Sequence, residues 1–196
     1  MSKKYEVKDL INIGIYTALH FLCIFIVAMI GFIPQTFVFA GIIEGFLGAI
    51  PLMIFLTKAK KPGMLTIMGL LLGLITFLMG RPWPCIIIGI CAGAVTDLVW
   101  GLCAKYKSLK LAPVCCGLMM LWLTGMGLPL YFGYRDSYLA SLEEGYGQEY
   151  VEIIRSLTPD WMFVGSIVIG VCGGFLGGLF AKRILRKHFE KANMTE

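Results

Sequence analysis

Ser166–Lys187, SIVIGVCGGFLGGLFAKRILRK, carries in one stretch the three signals that decide the fold. From Ser166 to Ala181 there is no charged residue, and with Trp161–Gly165 ahead of it the segment supplies the roughly 20 apolar residues a helix needs to cross a bilayer. Gly170, Gly174 and Gly178 recur every four positions, with Gly173, Gly177 and Ala181 beside them. Such small-xxx-small rows let helix backbones approach closely in lipid, where packing drives association. Lys182, Arg183, Arg186 and Lys187 then end the segment, as basic residues end a membrane helix on its cytoplasmic side.

The rest of the chain repeats this pattern. Of its 196 residues, 58% are hydrophobic and only 15% charged, against about 25% charged in an ordinary soluble domain. A soluble fold lacks the polar surface to cover such a core, so lipid is the expected solvent. Apolar segments at 10–33, 36–57, 63–80, 84–104, 110–131 and 161–182 predict a single all-α membrane domain, 1–196, of six transmembrane helices. Pro34, Pro62, Pro82, Pro84 and Pro159 fall at the breaks between them, where a missing N–H costs least. Met1–Asp9 is charged and leads straight into the first span, which does not read as a removable signal peptide.

Charge sets the expected orientation. Fourteen of the 17 basic residues lie before span one or after spans two, four and six; only Arg81, Arg135 and Arg155 fall on the other side. The positive-inside rule then puts both termini in the cytoplasm, as an even number of spans requires. The net charge of +5 is thus a topology signal and gives no reason to expect nucleic acid. The long segment 132–160 belongs outside. It holds Tyr134, Tyr138, Tyr146 and Tyr150, and Tyr150, Ile153, Ile154 and Leu157 recur at helical spacing. Two short helices broken near Gly145 and Gly147 are expected there. They are either an interfacial aromatic belt or a lid over an outward pocket.

Few polar groups enter the spans, and intramembrane ionisable residues are functional candidates by default. Glu44 sits in span two, as a ligand- or helix-contacting acid or a hydrogen-bonded structural one. Asp97, near the cytoplasmic end of span four, is expected to pair with Lys105 or Lys107, and His20 in span one reads as a satisfied core histidine. The expected solute-binding set is Glu44, Arg81, Trp83, Tyr131, Tyr134 and Trp161, all in or above the outer halves of their helices. Aromatic rings and acids there suit a small heteroaromatic or cationic solute.

No catalytic set is legible. Glu143 and Glu144 stand in a loop with no helical Arg or His following, and there is neither HExxH nor a phosphate-binding Gly-rich loop. The seven cysteines, none in a CxxC pair, read as small apolar residues. No enzyme activity, metal or cofactor is expected.

The length, the six spans, the start VKDLINIGIYTAL (Val7–Leu19) and the tail AKRILRKHFEKA (Ala181–Ala192) resemble the substrate-binding S components of energy-coupling-factor (ECF) transporters. The tail is similar above all to the Trep_Strep, or MptD-like, group. The resemblance implies a subunit of an ECF-type ABC importer in the bacterial cell (inner) membrane. It would capture a small vitamin-like or micronutrient solute outside, then topple to deliver it when docked on a shared energising module. That module is a transmembrane coupling protein with two cytoplasmic ATPases. Docking in such proteins uses an Ala-xxx-Ala patch on the first helix, and the matching positions here are Gly14 and Ala18, the first departing to Gly. The alternative expectation is a self-sufficient small secondary transporter or channel, which would show inverted repeats and broken helices.

Overall fold

A computed structural model of the chain describes residues 4–29, 33, 36–103, 105–106 and 109–193. Pro34 and Lys107 of the sequence reading lie outside them, and residues 37, 38, 103 and 187–193 are described by backbone alone. Every regular element among the described residues is helical: α1 (Val7–Ala28), α2 (Phe37–Lys58), α3 (Met64–Leu78), α4 (Pro84–Leu98), α5 (Ala112–Met119), α6 (Leu123–Gly127), α7 (Arg135–Tyr146), α8 (Gln148–Leu157) and α9 (Met162–Asn193). A π-turn over Val99–Cys103 prolongs α4. Tight 3₁₀ turns at Met120–Trp122 and Leu128–Leu130 join α5 and α6 into one irregular segment, Ala112–Leu130.

Five of these segments are long and apolar enough to cross a membrane; α3 is not. Its 15 residues span about 22 Å at 1.5 Å each, short of a ~30 Å hydrocarbon core. The expected span over 63–80 is shortened at both ends by Gly63 and Gly80, whose φ of 91° and 89° favours a residue without a Cβ. The last helix is instead longer than 161–182, because Ala181–Asn193 contains no Gly or Pro to stop it.

The five long segments and α3 form a closed ring in the spatial order α1, α2, α9, α5–α6, α4, α3, with α3 returning to α1. Glycine seams hold the contacts. A Cβ on Gly45 would lie 2.6 Å from the Gly170 carbonyl oxygen, and one on Gly177 would lie 2.7 Å from the Phe46 Cα, so α2 and α9 touch along bare backbone. Gly174 and Gly178 on the adjoining face of α9 meet Cys116 and Pro113 of α5 in the same way, and Gly69 and Gly73 meet Gly89 and Ile86 between α3 and α4. Ala49, Leu52, Phe55, Met64 and Trp122 fill the ring's centre.

Two polar knots lie in this interior. His20 is fully buried. The Trp122 indole can only donate, so its N–H bonds His20 Nε2 at 3.1 Å, and the proton sits on Nδ1, which donates to the Gly48 carbonyl at 2.8 Å. One neutral ring thus ties α1, α2 and the α5–α6 segment together. Asp97 accepts the Gly63 N–H at the start of α3. Its partner is therefore a helix N-terminus, where an acid is favoured, and Lys105, one of the two lysines expected to pair with it, forms no ion pair with it. At the same end of the bundle, Lys61 bonds Asp9 at 2.6 Å and Glu6 at 3.0 Å, fastening the start of α1 to the α2–α3 turn.

The seams generate a contrast within one residue type. Gly177→Val must push apart α2 and α9, and overpacking of this kind costs about 1–3 kcal/mol. A Cβ on Gly14 would meet nothing within 4 Å, so Gly14→Val adds its bulk on an open face. Thermal unfolding in detergent should show a clear loss for Gly177→Val and none for Gly14→Val; equal losses would contradict the packing described.

Candidate functional site

At the end of the ring away from Lys61, the helices part around a cavity of about 460 Å³. Its wall comes from the last turns of α1 (Phe25, Met29), the start of α2 (Gly41, Glu44), the turn after α3 (Met79, Arg81), the α5–α6 segment and the start of α9. The volume lies within the roughly 300–1,000 Å³ typical of small-molecule sites. The irregular backbone of Ala112–Leu130 contributes Met120, Leu123, Thr124, Met126 and Gly127. Its 3₁₀ turns change the helical phase, so that Trp122 points to the His20 knot while Met120 and Leu123 on either side reach the cavity.

The α7–α8 pair roofs the cavity. Tyr138, Leu142 and Tyr146 of α7 and Tyr150 of α8 line it. The pair has a small core of its own, Leu130, Leu139, Val151 and Ile154. The buried face of α8 is thus set by Val151 and Ile154, with Tyr150 and Leu157 half-buried beside them. Gly147, at φ 85°, turns α7 into α8. The Tyr146 and Tyr150 rings stack across that turn with centroids 4.8 Å apart. Burial, reinforced by Tyr146 and Tyr138, pushes the Tyr150 phenol above its ordinary value, which keeps it a hydrogen-bond donor at neutral pH. Arg135 anchors the roof to the segment leading into α9: its guanidinium donates to the Thr158 carbonyl at 2.8 Å and to Asp160 at 3.1 Å.

Among the described residues two charged side chains line the cavity, Glu44 and Arg81. The Arg81 guanidinium lies over the Tyr138 ring, 5.1 Å from its centroid, and forms no ion pair with a described residue. Glu44 likewise forms no ion pair with a described residue. Around them are methionines (29, 79, 120, 126 and 162), whose flexible thioethers adapt to varied apolar shapes, and the hydroxyls of Thr124, Thr158 and Ser166.

Of the six residues expected at the site, Glu44, Arg81 and Tyr131 come together on this wall. Tyr134 lines a smaller hollow of about 300 Å³ that shares Arg81 and Tyr138 with the larger one. Trp83 and Trp161 stand off both, 59% and 71% exposed, because each begins a helix on its outward side. The methionines were missed by the sequence reading, although they cluster at the same ends of their helices as Arg81 and Trp161. Gly14 and Ala18 lie far from the cavity on the outward face of α1, among exposed Leu10, Ile11, Ile15 and Leu22. No group of three or more His, Cys, Asp or Glu able to hold a metal occurs among the described residues.

Apolar helices closed into a ring by glycine seams define the class: a multi-helix integral membrane protein. The chain belongs to the Trep_Strep family, described as hypothetical bacterial integral membrane proteins, whose model matches residues 7–191. No curated protein and no solved structure matches it.

The roof depends on one arginine. Arg135→Ala removes both anchors to Thr158 and Asp160, and amide hydrogen exchange over 135–157 should quicken while α3 and α4 keep their protection. Unchanged exchange in the roof would show that its small core suffices to hold it.

Proposed function

We propose that this protein is the substrate-capture subunit of an ECF-type ABC importer, binding a small vitamin-like or micronutrient solute in the roofed cavity. The observation that carries the reading is that cavity, placed at the end of the bundle opposite most of the basic residues. If those basic residues face the cytoplasm, as the positive-inside rule requires, the cavity opens outward and α7–α8 is its lid. In this reading the five long segments and α3 all cross the membrane, α3 completing its passage through the turns at Gly63 and Gly80, and both termini are cytoplasmic. The chain carries no phosphate-binding loop, so the energy for uptake comes from a partner module, a coupling protein with two ATPases. The protein itself is not an enzyme and needs no cofactor.

Gly14 and Ala18 supply the docking surface. They are exposed one turn apart on α1, and a Cβ on Gly14 would meet open space. A partner helix can therefore approach this face as closely as α9 approaches α2. Ala18→Trp puts bulk there without touching the bundle's own seams.

Affinity capture from the native membrane tests both claims. The wild-type chain should recover two ATPases and a coupling protein. Ala18→Trp should lose most of that recovery at an unchanged melting temperature. Full recovery by Ala18→Trp would remove Gly14 and Ala18 from docking, and wild-type protein that brings down no ATPase would overturn the importer reading.

A further inference from the structure

The described cavity wall has one acid, one cation and many aromatic and methionine side chains, and neither charge is paired by a described residue. From this placement we propose that the solute is a small aromatic zwitterion, carrying a basic nitrogen for Glu44 and a carboxylate or similar anion for Arg81. The inference rests on the reading of this cavity as the solute site.

Each part of the site points to one part of the ligand. Glu44 is seven residues into α2 from Phe37, so it lies about 10 Å along the helix from that end. Its carboxyl reaches the cavity, yet no described residue donates a hydrogen bond to it or pairs with it. A carboxylate in low-dielectric surroundings is stable only when paired, and the partner that fits is a cationic or strongly donating nitrogen. Arg81 stands at the mouth, in the turn after α3. Its guanidinium carbon lies 5.1 Å from the Tyr138 ring centroid and the group pairs with no described acid, so its N–H groups suit the two oxygens of a carboxylate. The ligand thus enters nitrogen first and keeps its anion at the mouth. On the same wall, Phe25, Tyr131, Tyr146, Tyr150 and Phe163 supply aromatic rings.

A phospholipid headgroup can carry the same two charges. The free solute is favoured because the cavity is roofed by α7–α8, and about 460 Å³ has no room for acyl chains.

The test is a thermal-shift panel on purified protein in nanodiscs. Phenyl, indole, pyrimidine and purine scaffolds are each supplied with an amine, with a carboxylate, with both and with neither. The expected result is stabilisation concentrated in the doubly charged members, with affinities about tenfold to a hundredfold above their singly charged counterparts, the size of one charged hydrogen bond. Glu44→Gln should erase the preference for the amine and Arg81→Gln the preference for the carboxylate. If either variant fails to fold, the wild-type panel still decides. Stabilisation led by uncharged or singly charged members, or by none, overturns the ligand class. A response to phosphatidylethanolamine in the nanodisc, with none to the panel, assigns the cavity to a lipid and overturns it as well. Should the panel fail while native capture still recovers the ATPases, the importer reading stands and only the ligand class falls.

Discussion

Lipid gives apolar helices no reason to prefer one another over acyl chains, so this bundle depends on how closely its backbones can approach. Glycine supplies that approach at three interfaces. Gly45 against Gly170 and Gly174 joins α2 to α9, Gly174 and Gly178 against Cys116 and Pro113 join α9 to α5, and Gly69 against Gly89 joins α3 to α4. At each, a Cβ would occupy space already filled by the neighbour's backbone. The ring closes because α9 carries two such faces, offset by one residue, and so serves two neighbours at once. Cross-links between buried polar groups then fix its register, with the His20 ring bonded on both sides as the central one.

The same constraint explains where the cavity is. A Cβ on Gly170, on the wall of the cavity, would meet only the Met120 Cβ, at 4.0 Å. Toward that end of the bundle the close seams give way to methionine and aromatic side chains, and the helices stand apart. The 3₁₀ turns flanking α6 break the regular spacing of side chains there and turn Thr124 and Gly127 toward the space. Irregular backbone inside a membrane protein is tolerated where it is buried or lines a cavity. The α7–α8 roof, with its own core and the Arg135 anchor, closes a space that the helices leave open.

Much of this was legible in the sequence because lipid imposes a simple code. Long uncharged runs gave the spans to within a few residues at α2 and α4, and the four-residue glycine rows gave the tight faces of α9. The short helices of the 132–160 segment were readable from the Tyr150–Leu157 spacing. What was not legible depends on direction in space. Trp83 and Trp161 have the composition of site residues but project away from the cavity. Asp97 has the sequence setting of a partner for Lys105, yet a backbone N–H at the start of α3 is what it accepts. The 3₁₀ turns after Met119 leave no mark that distinguishes them from continuous helix, so the direction of Met120 and Met126 into the cavity could not be foreseen.

The central claim is that solute enters this cavity from outside the cell. A single cysteine at Thr124, deep on the α5–α6 wall, placed in a chain whose seven native cysteines are replaced, tests it in intact cells. A small impermeant thiol reagent added outside should label that cysteine, and a reagent too large for about 460 Å³ should not. Labelling only after the cytoplasmic side is exposed would contradict the account, since the cavity would then open toward the wrong face of the membrane.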